Sequence, residues 1–120
     1  MRQIAIVIVL LSLLTPVLVR GDCSDAASNG ADAYSYSKKA YRESSFEDAQ
    51  SYARRARNYA DDAKSAAEGC NCNDAASKFD DAYTFARRAY SASKLSELRE
   101  YARKAMRAAE AGREAAERCR

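Results

Sequence analysis

Sliding the chain against itself by 49 residues brings Cys23 onto Cys72 and Asp25-Ala26-Ala27-Ser28 onto Asp74-Ala75-Ala76-Ser77. At the same offset Tyr52-Ala53-Arg54 meets Tyr101-Ala102-Arg103, and Cys70 meets Cys119, with no gap needed. Twenty of the 48 aligned positions are identical, so the chain reads as a tandem duplication of one Cys-bounded unit, residues 23–70 and 72–119, joined through Asn71. Whatever structure one unit takes, the other is expected to repeat.

That structure is helix. Residues 22–120 contain no Val, Ile, Trp or His and only two Leu, beside 25 Ala and 8 Tyr, and Thr84 is their one β-branched residue. Ala, Lys, Arg and Glu are good helix formers, and strands have almost nothing to build on. Ser24 is the expected N-cap of a first helix running to about Glu43. Ser44-Ser45-Phe46-Glu47 reads as a capping box opening the second. In the second unit Asn73 is the expected cap and Ser93-Lys94-Leu95 the turn, with Glu97 favouring the helix start. Gly69 is the expected helix stop.

Apolar periodicity picks out the core. Phe46, Ala49, Ala53, Ala56, Ala60, Ala63 and Ala67 step by three and four, as do Leu95, Leu98, Ala102, Ala105, Ala109, Gly112 and Ala116. Both are coiled-coil-like heptad seams of small residues. Ala26, Gly30, Ala33, Ser37 and Ala40 answer them in one unit, and Ala75, Phe79, Ala82, Ala86 and Ala89 in the other. The fold class expected is all-α: two tandem antiparallel hairpins packed as an up-down-up-down four-helix bundle with an Ala-rich seam. Tyr34, Tyr41, Tyr52, Tyr59, Tyr83 and Tyr90 flank the seams, covering the thin core with rings while their hydroxyls stay wet.

A chain this poor in large aliphatic side chains needs covalent staples, and Cys23, Cys70, Cys72 and Cys119 can supply them. Three pairings are open. Duplication favours a bridge within each unit, Cys23 to Cys70 and Cys72 to Cys119, because an ancestral single unit would already be closed on itself. A Cys70–Cys72 bridge would need a strained small ring. Four Cys at one end could instead form a zinc site, but Cys-x-Cys lacks the paired knuckles of the common patterns.

Residues 1–21 have the layout of a secretory signal peptide: a basic start at Arg2, an apolar run from Ile4 to Leu14, Pro16, and small or branched residues at Val19 and Gly21. The domain proper is then residues 22–120 and the expected location is extracellular or periplasmic. A signal anchor and a lipid-bearing Cys23 are the competing readings. The short apolar run weighs against the first and Asp22 against the second.

With the leader removed, 18 Lys and Arg face 17 Asp and Glu. Net charge is therefore no argument for nucleic acid, which is not an expected partner. The absence of His removes the commonest general base, and no nucleophile, Walker or dinucleotide motif appears. Neither catalysis nor a cofactor or metal is expected.

Charge is segregated along the hairpins. Segments 38–57 and 87–107, beside the turns, hold 13 Lys and Arg against 5 Asp and Glu; the rest of residues 22–120 hold 5 against 12. Helix dipoles account for bases at the ends of the first helices. They do not account for the second, where Arg54, Arg55 and Arg57 precede Asp61, Asp62 and Glu68. Lys38, Lys39, Arg54, Arg55, Arg87, Arg88, Arg103 and Lys104 are thus candidates for anion binding, with Tyr41, Tyr52, Tyr90 and Tyr101 among them for stacking or cation–π contacts.

Ala40-Tyr41, Phe46-Glu47-Asp48-Ala49, Tyr52-Ala53 and Ala56 resemble the turn region of a tetratricopeptide repeat, whose period of about 34 residues differs from the one here. In outline the chain is also similar to plant invertase and pectin methylesterase inhibitors, which have another Cys layout and an additional N-terminal hairpin. The function expected is a secreted, disulfide-stapled interaction module whose partner is a protein or a polyanionic surface. The alternative is a structural or stress-protective Ala-rich surface protein with no specific ligand.

Overall fold

The structure, a computed structural model, describes residues 23–119. The expected leader, Asp22 and Arg120 lie outside them. Four helices account for most of the described chain: α1 (Ser24–Arg42), α2 (Phe46–Gly69), α3 (Asn73–Tyr90) and α4 (Leu95–Arg118). Each packs along two neighbours, α1 and α3 both lying on α2 and α4, while the diagonal pairs touch little. The bundle is square in section, with α1, α2, α3 and α4 following one another around it, and the expected all-α fold is borne out.

Both turns lie at one end, where Ala40, Ala49, Ala89, Ala92 and Leu98 form one cluster. Cys23 and Cys72 gather at the other with Ala26, Ala67, Ala75 and Ala116. Every residue of the four seams is buried except Phe46 and Leu95, which are half-buried. Between the ends the interior is alanine. Ala33, Ala60, Ala82 and Ala109, one from each helix, make one layer, and Ala56, Ala86 and Ala105 make the next. A buried methyl contributes only about 0.8 kcal/mol. Such a core therefore depends on the high helix propensity of Ala, on close helix approach and on its crosslinks.

The largest fully buried side chains are Phe79 and Leu98, one toward each end. The Phe79 ring occupies space that two glycines leave open: a Cβ built on Gly30 would stand 2.6 Å from it, and one on Gly112 2.5 Å.

Helix ends depart from expectation in three places. Cys23 and Cys72, not Ser24 and Asn73, hold the cap positions of α1 and α3, and neither caps with its side chain. The reason is the crosslink: each is a buried disulfide half whose carbonyl accepts the first helical bond, from Ala27 at 3.0 Å and from Ala76 at 3.0 Å. At α2 the cap is Ser45, whose hydroxyl accepts from Asp48 N at 3.4 Å. The reciprocal carboxylate comes from outside the helix, Glu43 accepting from the cap's own Ser45 N at 3.4 Å and from Ser44 N at 2.9 Å. The expected box from Ser44 to Glu47 is thus displaced by one residue.

Gly69 ends α2 as expected, but without a left-handed conformation; Asn71 supplies that, at φ 61°. Asn71 N donates to Glu68 O at 3.2 Å and Cys72 N to Ala67 O at 2.9 Å, the two bonds of a Schellman motif. Asn tolerates this conformation better than residues without a short polar side chain. Asn71→Ala is accordingly expected to lower stability by about 1 kcal/mol, and Asn71→Gly to leave it within about 0.5 kcal/mol of the parent. Urea unfolding followed by circular dichroism checks this, and equal losses from both substitutions would assign the effect to the Asn side chain instead.

Candidate anion-docking surface

In the Cys half, every Lys and Arg among the described residues is matched to a carboxylate. Lys64 meets Asp80 at 3.1 Å, linking α2 to α3, and Lys78 meets Asp74 at 2.9 Å. Arg113 reaches Glu117 at 3.1 Å and Glu110 at 3.9 Å, and Arg118 stands 4.0 Å from Asp74. The Asp80 hydrogen bond, reinforced by its charge, holds the Lys64 amine above its usual 10.5. The Lys78 hydrogen bond likewise holds the Asp74 carboxyl below its usual 3.8.

The turn half is different. Of its 13 Lys and Arg, only Arg103 forms an ion pair with a described residue, Glu100 at 2.6 Å. Arg99 is spent structurally, its Nε donating to Tyr41 O at 3.0 Å and fastening the start of α4 to the end of α1.

Several of the others lie over aromatic rings. Lys39 sits 4.9 Å from the Tyr36 centroid and 5.8 Å from that of Tyr52, and Arg55 sits 5.7 Å from Tyr36. Tyr36 stacks on Tyr59 across the α1–α2 seam, centroids 5.6 Å apart. On the other hairpin, Arg88 lies 6.0 Å from Tyr101, and Lys104 lies 5.7 Å from Tyr101 and 5.8 Å from Phe85. These are matched sets at the 49-residue offset: Tyr36 and Phe85, Lys39 and Arg88, Tyr52 and Tyr101, Arg55 and Lys104. The half-buried rings anchor long, exposed cationic side chains at fixed places on the surface.

The eight candidates do not form one cluster. Lys39 and Arg55 belong to the α1–α2 groove and Arg88 and Lys104 to the α3–α4 groove, which the square helix order puts on opposite sides. Lys38 lies over Tyr34 on its own helix, at 5.8 Å, and lines the first groove with Lys39, Arg42, Glu43 and Tyr52. Arg54 and Arg87 are exposed. Arg103 is the one neutralised by a carboxylate. Among the expected rings, Tyr52 and Tyr101 are central. Tyr90 instead meets Arg57, at 5.1 Å, and Tyr41 lines a separate shallow groove with Arg42 and Arg99. Sequence reasoning misses Tyr36 and Arg57; the signal for Tyr36 is that its counterpart, Phe85, is also aromatic, a match that counting identities overlooks.

At the Cys end, disulfides join Cys23 to Cys70 and Cys72 to Cys119, with Cα atoms 5.6 and 6.0 Å apart. The two bridges abut, the Sγ atoms of Cys23, Cys72 and Cys119 lying within 4.8 Å of one another. All four sulfurs are engaged, so none is a free thiolate for a metal.

Fold and surface together define a class of protein: a doubly bridged four-helix bundle with an acidic half whose cations are paired and a basic half several of whose cations rest on rings. Comparison with protein-family models, with curated proteins and with solved structures finds no match.

Proposed function

We propose that the protein is a secreted, non-enzymatic interaction module that docks anionic surfaces through the turn half of its bundle. The carrying observation is the unequal neutralisation of charge, since cations of the Cys half are paired and all but Arg103 of those in the turn half are not. Unpaired cations held at a spacing set by rings can trade solvent and counterions for an anionic partner with little side-chain ordering. Secretion is supported by the leader-like residues 1–21 and by the two disulfides, which persist in oxidising compartments. No described helix is long and apolar enough to cross a membrane.

The test is retention on immobilised heparin. The mature protein is expected to remain bound at about 0.15 M salt, where screening acts over about 8 Å. A variant carrying Arg54→Glu, Arg55→Glu, Arg87→Glu and Arg88→Glu is expected to flow through. Absence of binding by the parent, or unchanged retention of the variant, would refute the reading and favour a surface protein without a specific ligand.

A further inference from the structure

We infer that the bundle carries two separate docking strips for acidic polysaccharide, one on the α1–α2 face and one on the α3–α4 face, and so joins two polymer chains rather than coating one. The inference rests on the anion-docking reading above and adds to it a ligand class, a stoichiometry and an order of affinity.

Three observations lead there. First, each groove repeats the same arrangement, two cations from different helices laid over rings from both: Lys39 and Arg55 with Tyr36 and Tyr52, Arg88 and Lys104 with Phe85 and Tyr101. Second, the grooves lie on opposite sides of a square bundle. With helices about 10 Å across, the strips stand about two helix diameters apart, beyond the screening length of about 8 Å, so a chain in one hardly affects the other. Third, the α1–α2 strip is an open groove bordered by aromatic rings, and the α3–α4 strip repeats its cations and rings. Cations repeated along an open face suit a polymer presenting sulfate or carboxylate groups at intervals better than a compact anion, which would call for an enclosed pocket.

The strips are not equal. Glu43 lines the first groove beside Lys38 and Lys39, and Asp62 lines it beside Arg55 and Tyr59. Forty-nine residues on, these positions are Ala92 and Ala111. Arg42, which lines the same groove, gives way to Ser91, so the α3–α4 strip is relieved of one net negative charge and is the tighter one.

Calorimetry with a short heparin oligosaccharide and light scattering with long heparin separate the alternatives, polygalacturonate serving as the carboxylate-only probe. The mature protein is expected to take up two oligosaccharides and to cross-link long chains. Lys39→Glu/Arg55→Glu is expected to leave one site, the tighter, and Arg88→Glu/Lys104→Glu to leave the weaker. Either pair abolishes cross-linking and cuts the salt dependence of total binding by about half. Circular dichroism monitors folding, and the corresponding Gln variants, which add no like-charge repulsion, are expected to give the same pattern more weakly. One oligosaccharide per protein, or loss of all binding from either pair, overturns the two-strip inference and leaves anion docking standing. Failure of the parent to bind any polyanion removes the underlying reading. Tighter binding of single-stranded DNA than of both polysaccharides overturns the ligand class.

Discussion

Replacing all four cysteines is expected to leave the chain largely unfolded at about 37 °C, whereas removing one bridge leaves a weakened but folded bundle. Each disulfide spans a sequence separation of 47 residues, and closing a loop of that length in the unfolded chain contributes about 4 kcal/mol. The pair together is worth about 8 kcal/mol, against a total of about 5–15 for an ordinary domain. A core of alanine layers has little to set against such a loss. Urea unfolding of the parent, Cys72→Ala/Cys119→Ala and the Cys-free chain gives the measurement. A Cys-free chain that keeps a cooperative transition within about 2 kcal/mol of the parent would show that helix packing, not crosslinking, holds the fold. Alanine is the cleaner replacement, because a serine at position 23 or 72 would bring a hydroxyl to a helix cap that the parent lacks. A useful control is Cys70→Ala/Cys119→Ala. The remaining Cys23 and Cys72 have sulfurs within 4.8 Å, so they are expected to bridge the two hairpins and recover part of the lost stability.

The seams are legible in the sequence because burial in a helix imposes a spacing of three and four, and a solvated face would not keep a small or apolar residue at every such step. Helix ends are less so. Cys23 and Cys72 displace the better capping residues beside them because a crosslink fixes their place, a constraint that local propensity does not contain. Gly69 draws attention away from Asn71, although the position between Cys70 and Cys72 is where the backbone must turn. Charge segregation can be counted along the chain, but not its division between two faces. That requires the order of helices around the bundle, and two hairpins related by a fixed offset leave that order open. Phe79, Gly30 and Gly112 stay unlinked in the sequence for a related reason. Self-comparison directs attention to identical positions, and these three are mismatches.

Gly112→Ala is expected to destabilise the bundle, reversing its effect in an ordinary helix interior, where the substitution gains about 1 kcal/mol. The new Cβ would stand 2.5 Å from the Phe79 ring, and one on Gly30 would stand 2.6 Å from it. Phe79 is wholly buried, so the ring has no free space to turn into. Overpacking costs about 1–3 kcal/mol, which exceeds the propensity gain over most of that range. Phe79→Ala is expected to cost about 3–5 kcal/mol through the cavity it opens. In that background Gly112→Ala meets no ring, and its sign should revert to stabilising by about 1 kcal/mol. The four proteins make a double-mutant cycle with an expected coupling of about 1–3 kcal/mol; additive effects would show that the ring and the glycine do not share one space. The consequence reaches the pairing of the hairpins. At the 49-residue offset Phe79 corresponds to Gly30, and Gly112 to Ala63. Two copies of the second hairpin would bring two rings to this end of the core, and two copies of the first would bring none. One ring against two glycines requires one hairpin of each kind, which a single chain supplies to itself.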